Sequence, residues 1–273
     1  MSGEAADVKF VAEAKFIDIN GVKLEVLTKG KGSPLLFLHG MDGAEKAATL
    51  LNHLAETHTV YAPSHPGFGA STLPDAFTTV DDLSYFYLDL LDHLDLKAAA
   101  IVGFSFGGWI AAEMLTKDCS RVARVVLGAP LGLRTGDRKA QRVTDVFMLP
   151  AAEQQARMQV TPVVAASPKD KSEAMLERSL RNAEALVRFG WSPYMSNPKL
   201  EGRLHRIKIP AHFLWGEEDR IAPLGYGMDY AARLPRASLE TLAKCGHNIH
   251  VDQPEAAAKS ISKFIKQAAA AAA

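Results

Sequence analysis

One serine lies in a sequence context that could make it a nucleophile. Residues 98–114 read AAAIVGFSFGGWIAAEM, an apolar run, a Gly-x-Ser-x-Gly motif and then a helical pattern. This order predicts a strand, a sharp turn and a helix, with Ser105 held in a strained conformation that only small flanking residues permit. The N-terminus of the helix would direct free N–H groups and the positive end of its dipole at negative charge developing there. The chemistry that this arrangement favours is acyl transfer.

A serine nucleophile needs a base to accept its proton and a carboxylate to orient that base. Asp219 and His247 each follow a run predicted to be a strand, as Ser105 does. Because the carboxyl ends of parallel strands share one edge of a sheet, we expect the three side chains at the edge where open α/β sheets bind ligands. The chain order Ser, Asp, His is the order expected for a nucleophile elbow of this type. The sequence therefore predicts a catalytic triad.

Other residues compete for the base and carboxylate roles. Glu217 and Glu218 directly precede Asp219 and could replace it, and His250 lies three positions after His247 and could face the same loop. A glycine-rich turn between a strand and a helix can also serve packing or phosphate binding alone. These alternatives remain open at the level of the sequence.

Four further residues are candidates for contact with substrate. His39 and Asp42 follow an early apolar strand in the segment His-Gly-Met-Asp-Gly, and Phe147 and Trp191 are large apolar side chains of a later insertion. Asp42 could bind a polar group of the substrate or be a solvated turn carboxylate. His39, like His65 in a second turn-rich segment, could instead form local hydrogen bonds where the chain bends.

The elements that must position these residues follow an alternating pattern. Two β-type runs, residues 14–19 and 22–27, are joined by Asn20-Gly21, a dipeptide typical of tight hairpins. Strands then alternate with helices, which favours a mostly parallel sheet with helices on both faces. Thr79 with Asp82 predicts a capping box before one helix, and Asp252 with Glu255 predicts the cap of the last helix.

The alternation stops between residues 131 and 207, a range hereafter called the insertion. Charged helical stretches there are interrupted by prolines and carry many large apolar side chains. We interpret the insertion as a helical cap that closes over a pocket. The predicted domains are therefore a core, residues 1–130 and 208–273, and a cap, residues 131–207. The final alanine run, from residue 268, has no patterned apolar face and contains no candidate functional residue.

Composition limits the classes of partner. The chain has 273 residues, 48% of them hydrophobic, and 31 basic residues balance 31 acidic ones. The chain therefore has no excess of positive charge that would attract nucleic acid or anionic lipid. The expected partner is a small neutral molecule. Two cysteines cannot build a multi-disulfide framework, the first ten residues lack an apolar signal region, and no apolar run could span a membrane. We expect a cytoplasmic protein without cofactor or metal; its oligomeric state is not predicted.

Four motifs make the sequence resemble the serine-nucleophile, esterase-like branch of the α/β-hydrolase superfamily. The resemblance extends from about residue 16 to residue 264. The motifs are His39-Gly40 after the early strand, the segment from Gly103 to Gly108, Trp215-Gly216-Glu217-Glu218-Asp219 with Pro223, and Gly246-His247 ahead of Gln253-Pro254-Glu255.

The resemblance implies the α/β-hydrolase fold and a role for each site residue. Ser105 would be the nucleophile, His247 the general base and then the general acid, and Asp219 the orienting carboxylate. The backbone N–H groups of Met41 and Phe106 would form the oxyanion hole. Family members that open epoxides or remove halides use aspartate at the elbow, where this chain has serine.

A serine triad on this fold is compatible with more than one activity. We expect hydrolysis of small or medium carboxylic esters through an acyl-enzyme intermediate, as in a carboxylesterase. Cleavage of carbon–carbon bonds in vinylogous diketones uses the same fold and triad. A third alternative is a small-ligand receptor that keeps the triad without turnover.

Overall fold

A hairpin begins the sheet. In this computed structural model, which describes residues 12–134, 143–162 and 172–267, β1 (Glu13–Ile19) pairs antiparallel with β2 (Val22–Lys29). Asn20 and Gly21 have φ values of 52° and 84°, and positive φ at both central residues is the mark of a type I′ turn. The predicted antiparallel start is confirmed. Residues 135–142 and 163–171 of the insertion and the final alanine run lie outside the described residues.

The remaining strands are β3 (Ser33–Leu38), β4 (His58–Pro63), β5 (Ala99–Phe104), β6 (Val122–Gly128), β7 (Ala211–Gly216) and β8 (Ala237–Leu242). The described residues form one eight-stranded sheet in the order β1-β2-β4-β3-β5-β6-β7-β8. β2 pairs antiparallel with β4, and every later neighbouring pair is parallel. The predicted mostly parallel sheet is therefore confirmed.

Helices cover the sheet. Within the described residues they are α1 (Ala48–Ala55), α2 (Val80–His93), α3 (Phe106–Lys117), α4 (Ala151–Met158), α5 (Glu173–Gly190), α6 (Leu224–Ala231), α7 (Ile249–Asp252) and α8 (Pro254–Gln267), with short 3₁₀ helices at Ala44–Ala47, Val146–Met148 and Glu201–Arg206. The predicted capping box begins α2, where the Thr79 hydroxyl accepts from the Asp82 N–H and the Asp82 carboxylate accepts from the Thr79 N–H.

β5 and α3 form the centre of the molecule. All six residues of β5 are buried between β3 and β6, which explains its continuous apolar run. α3 is buried from Phe106 to Thr116, so it is apolar almost all round instead of having one apolar face. The turn between this strand and this helix is thereby held in the middle of the carboxyl edge of the sheet.

The insertion lies between β6 and β7 and is anchored to the core through α5. Arg178 donates to Glu25 Oε2 on β2 at 2.8 Å and also bonds the Glu45 carboxylate. The Gly69 N–H donates to Asn182 Oδ1 at 2.8 Å. Burial alone would raise the pKa of Glu25, but hydrogen bonds from Arg178 and other donors outweigh it and lower that pKa. The fold therefore holds α5 by a charged contact with a nearly buried carboxylate.

We expect Arg178→Met to lower the free energy of unfolding by about 3 kcal/mol. Glu25 is only 9% exposed, so the variant would leave a carboxylate without its charged partner, and removing one partner of a buried pair costs about 3–5 kcal/mol. Chemical denaturation at neutral pH measures the difference.

The control for this variant is Arg157→Met. Arg157 pairs with Glu153 one helical turn away on an exposed face, and such a pair contributes about 0.5 kcal/mol or less. Because the pKa of Glu25 is lowered in the fold, the stabilisation from Arg178 is present at neutral pH and is lost as the pH falls through that pKa. Equal effects of the two variants at neutral pH would contradict the prediction.

Candidate active site

Ser105 occupies a strained turn between β5 and α3. Its φ of 51° and ψ of −115° lie outside the regions that residues with a side chain normally adopt. A hydrogen bond from the Ser105 N–H to the Gly128 carbonyl, at 2.8 Å, ties this turn to the end of β6. The sharp turn that the motif predicts is present.

The glycines of the motif are required by close approach of backbone to backbone. A Cβ on Gly103 would lie 2.7 Å from the Gly107 carbonyl oxygen, and a Cβ on Gly107 would lie 2.1 Å from the Leu38 carbonyl oxygen. Both distances are shorter than real Cβ contacts. α3 thus begins directly against the ends of β5 and β3, which aims its N-terminus at the space beside Ser105.

The structure brings Ser105, His247 and Asp219 together in one hydrogen-bonded line. His247 Nε2 lies 2.8 Å from Ser105 Oγ, and His247 Nδ1 lies 2.8 Å from Asp219 Oδ2. Since a carboxylate accepts only, we assign the imidazole proton to Nδ1, which leaves Nε2 free to accept the serine proton. The arrangement can activate the Ser105 hydroxyl as a nucleophile.

Asp219 is itself held in place by its own loop. Its Oδ1 accepts hydrogen bonds from the N–H groups of Ile221 and Ala222, each at 2.8 Å. The second oxygen therefore remains for His247, and the carboxylate cannot rotate without losing two bonds. Ser105 is 4% exposed and Asp219 8% exposed, so the line is shielded from bulk solvent.

The two residues expected to supply oxyanion donors adjoin the elbow, since Phe106 follows Ser105 and Met41 follows Gly40, on which a Cβ would lie 3.5 Å from the Ser105 Cβ. Met41 follows the end of β3 and is buried, and Phe106 is the first residue of α3. Within the described residues, neither backbone N–H donates a hydrogen bond to another group. Two free N–H groups near a nucleophile and a helix N-terminus can stabilise developing negative charge.

The competing carboxylates and histidine lie outside this line. Glu217 is exposed and accepts from Thr241, and Glu218 pairs loosely with Arg220 at 3.8 Å. His250 is buried with its Nδ1 unpaired within the described residues, and burial lowers its pKa to about 4. His250 packs edge-on against the Phe104 ring, and among the described residues it is His247, not His250, that hydrogen-bonds Ser105 Oγ.

His39 forms local hydrogen bonds where the chain bends and does not have the predicted role of a substrate contact. It is fully buried, its Nε2 accepts from the His65 N–H at 3.1 Å, and its Nδ1–H donates to the Gly40 carbonyl at 2.6 Å. The ring stacks on that of His65, which in turn contacts the Tyr87 hydroxyl. Burial lowers the pKa of His39 to about 4. With both nitrogens engaged, this side chain has no group free for a substrate.

Asp42, by contrast, has an exposed side chain between two buried neighbours. Desolvation raises its pKa, while Lys46, the Asn248 side chain and His247 act in the opposite direction. The hydrogen bond from Asn248, the residue after His247, places the carboxyl beside the loop that carries the proposed base. Asp42 thus keeps its place as a candidate for contact with substrate.

A part of the insertion crosses from the Asp219 loop to the His247 loop. Thr144 donates to the carbonyls of Ile221 and Arg220, both at 2.8 Å. At the other end, Met158 of α4 accepts from the Asn248 N–H at 2.7 Å.

Phe147 lies in this crossing segment and packs against Trp191 with ring centroids 5.7 Å apart. Phe147 is half-buried, whereas Trp191 is 59% exposed. The two aromatic candidates are therefore in contact with each other and belong to the part of the insertion that adjoins the site.

Asp252 is a positioning residue that the sequence pattern did not identify. Instead of capping the last helix, its carboxylate accepts from the N–H groups of Gly246, Val160 and Thr161 at 2.7–2.9 Å. It joins the residue before His247 to residues 160 and 161 of the insertion. Val160 and Thr161 lie about 90 residues earlier in the chain, so the local pattern carried no signal for these contacts.

The described ranges contain no group of three or more His, Cys, Asp or Glu side chains able to hold a metal ion. None of their helices is both long and apolar enough to cross a membrane.

Comparison with known proteins places the chain in a family. A relative from a Pseudomonas species (strain CF600), 2-hydroxymuconate semialdehyde hydrolase, is 27% identical over 92% of this chain and 93% of its own length. The dihydrolipoyllysine-residue acetyltransferase component of the acetoin cleaving system of Cupriavidus necator is 29% identical over 89% of this chain, which spans 67% of that protein.

Solved structures agree on the fold. The structure of a membrane phospholipase A superposes with a TM-score of 0.79 at 21% identity, covering 94% of this chain and 87% of that one. The sequence model of the alpha/beta hydrolase family matches residues 35–260, which is most of the chain. This match, with the sheet order and the elbow, shows that the chain belongs to the alpha/beta hydrolase family.

Proposed function

We propose that this hydrolase cleaves small or medium carboxylic esters through an acyl-enzyme intermediate. The observation that carries the proposal is the line from Ser105 Oγ through His247 to Asp219, with both hydrogen bonds at 2.8 Å. The backbone N–H groups of Met41 and Phe106, neither of which donates a hydrogen bond within the described residues, would hold the oxyanion.

In this mechanism Ser105 Oγ attacks the ester carbonyl while its proton moves to His247 Nε2. The carbonyl oxygen becomes an oxyanion, which the N–H groups of Met41 and Phe106 stabilise. Collapse of this intermediate breaks the bond to the alkoxy group, which leaves as the alcohol with the proton from His247. Water then attacks the acyl-enzyme by the same steps, and Asp219 stabilises the imidazolium in each half-reaction.

A second candidate function is hydrolysis of a carbon–carbon bond in a vinylogous diketone. The relatives favour it, because those that match most of their own length include 2-hydroxymuconate semialdehyde hydrolase and 2-hydroxy-6-oxo-6-phenylhexa-2,4-dienoate hydrolase. The same nucleophile and base would serve this reaction. Likeness at 24–27% identity does not distinguish the two substrates.

The experiment that separates the candidates compares two substrate sets on one preparation. One set is p-nitrophenyl esters of increasing acyl length; the other is 2-hydroxy-6-oxo-6-phenylhexa-2,4-dienoate, followed by loss of its absorbance as the conjugated chain is cut. Ester hydrolysis is supported if kcat/KM for the best ester exceeds that for the dienoate at least tenfold. The reverse order supports carbon–carbon cleavage, and binding without turnover of either supports a receptor.

We further propose that the insertion, residues 131–207, acts as a cap that limits substrate size. Phe147 lies between the anchor points of the crossing segment, and Trp191 packs on it. We expect Phe147→Ala and Trp191→Ala to shift the preferred acyl length upward while changing kcat/KM for the acetate ester less than about threefold. The p-nitrophenyl ester series measures this shift.

Met148→Ala is the matched control, since this neighbour of Phe147 is 74% exposed. It should leave the chain-length profile unchanged. If the two aromatic variants instead lose activity uniformly on every ester, the side chains of Phe147 and Trp191 stabilise the fold and do not line the pocket.

A further inference from the structure

Asp42 stands out in the loop after β3 because its side chain alone is accessible. Met41 and Gly43 on either side are buried, and the Gly43 N–H donates to the Gly40 carbonyl at 3.3 Å, which closes a tight turn. Asp42 lies in the middle of that turn, directly after the proposed oxyanion donor. The backbone thus turns the Asp42 side chain away from the core.

The Asp42 carboxyl lies beside the loops that carry the proposed nucleophile and base. Gly40, two residues before Asp42, approaches Ser105 so closely that a Cβ on Gly40 would lie 3.5 Å from the Ser105 Cβ. The side chain of Asn248, the residue after His247, hydrogen-bonds the Asp42 carboxyl. Desolvation by the surrounding protein raises the pKa of this carboxyl.

α4 contacts both of the loops that carry Asp42 and His247. Gln154 Nε2 lies 3.6 Å from Met41 Sδ, and the Met158 carbonyl accepts from the Asn248 N–H at 2.7 Å. One helix therefore contacts the residue before Asp42 and the residue after His247. A substrate bound at Ser105 would therefore lie close to both α4 and the Asp42 carboxyl.

We propose that Asp42 determines the substrate class of the site: it accepts a hydrogen bond from a hydroxyl or ammonium group close to the scissile bond and disfavours a carboxylate there. This inference rests on the proposed function of Ser105. At the effective dielectric constant of about 20 that applies near a protein surface, a substrate carboxylate about 8 Å from the Asp42 carboxylate would bind roughly tenfold more weakly or worse. Lys46 opposes this effect, since its positive charge acts on the same carboxyl.

The test measures how fast three matched p-nitrophenyl methyl phosphonates inactivate the protein, with butyl, 3-hydroxypropyl and 2-carboxyethyl arms. In the labelling step Ser105 Oγ bonds to phosphorus, the bond to p-nitrophenolate breaks, and the serine proton passes to His247. Release of p-nitrophenol gives the rate, and peptide mass spectrometry gives the modified residue. The readout is the ratio of the butyl rate to the carboxyethyl rate.

We expect the wild type to react at least tenfold more slowly with the carboxyethyl probe than with the butyl probe, and fastest with the hydroxypropyl probe. Asp42→Asn and Asp42→Ser should each lower the butyl-to-carboxyethyl ratio about tenfold. Lys46→Gln should raise it. Asp75→Asn, which makes the same charge change at an exposed site, should leave it unchanged.

Failure of this inference is distinguishable from failure of the proposed function. If Ser105 is labelled but the ratio is unchanged in both Asp42 variants, the role of Asp42 is overturned and the nucleophile stands. A ratio that moves equally in Asp75→Asn also overturns it. If no probe labels Ser105 in the wild type, the nucleophile itself is overturned, and the inference with it.

Discussion

Replacing Ser105 by alanine should lower kcat about 10⁴- to 10⁶-fold on whichever substrate the wild type accepts. The variant removes the atom that would form the acyl-enzyme, while the oxyanion donors and the base stay in place. In serine hydrolases such a change leaves only the residual rate that binding and the oxyanion hole provide. Initial rates at saturating substrate, with active-site titration of the wild type, measure the loss.

The variant should remain folded, so that a loss of activity can be attributed to the missing nucleophile. Alanine needs the same positive φ as serine, 51°, and the turn is held by backbone bonds to Gly128 and Trp109 that the substitution does not touch. We expect the free energy of unfolding to change by less than about 2 kcal/mol. A fluorophosphonate adduct on a residue other than Ser105, or full turnover by the variant, contradicts the assignment.

The elbow was predictable because its signal is local. Gly103, Ser105 and Gly107 lie within five residues, and the contacts that exclude a Cβ there come from the turn itself and from the neighbouring strand β3. Alternating strands and helices likewise predicted the parallel sheet, since burial on both faces imposes continuous apolar runs such as that of β5.

Which of three adjacent carboxylates orients His247 was harder to predict from the sequence. Glu217, Glu218 and Asp219 all follow β7, and strand position alone does not separate them. In the structure the short Asp219 side chain bonds the N–H groups two and three residues ahead, Ile221 and Ala222, and this turn directs its second oxygen at His247. Aspartate side chains in turns tend to accept hydrogen bonds from backbone N–H groups a few residues ahead. This tendency is the sequence signal that could have distinguished Asp219 from the two glutamates.

Contacts between distant parts of the chain could not be predicted from one sequence. His39 stacks on His65, 26 residues away, and this pairing removes it from the set of substrate contacts. Asp252 followed a capping pattern yet bonds residues near position 160, about 90 residues earlier. In both cases tertiary packing gave a polar side chain a partner that the local pattern does not contain.

Asp219→Asn should be at least as damaging as Asp219→Ala, with a loss in kcat of about 10⁴-fold. The N–H groups of Ile221 and Ala222 need an acceptor, so the asparagine oxygen should face them and its NH₂ should face His247 Nδ1. A donor in that place makes Nδ1 accept and moves the imidazole proton to Nε2, where it blocks transfer from Ser105. Alanine leaves the tautomer free.

Single and double variants test whether Asp219 acts by fixing the tautomer of His247. His247→Ala alone should cost at least as much as Asp219→Asn, and combining them should add less than about threefold, because Asp219 acts only through His247. Glu217→Gln, at an exposed carboxylate two residues away, should keep wild-type kcat. If Asp219→Asn retains more activity than Asp219→Ala, the orienting role fails, because the geometry requires the amide to impose the unproductive tautomer.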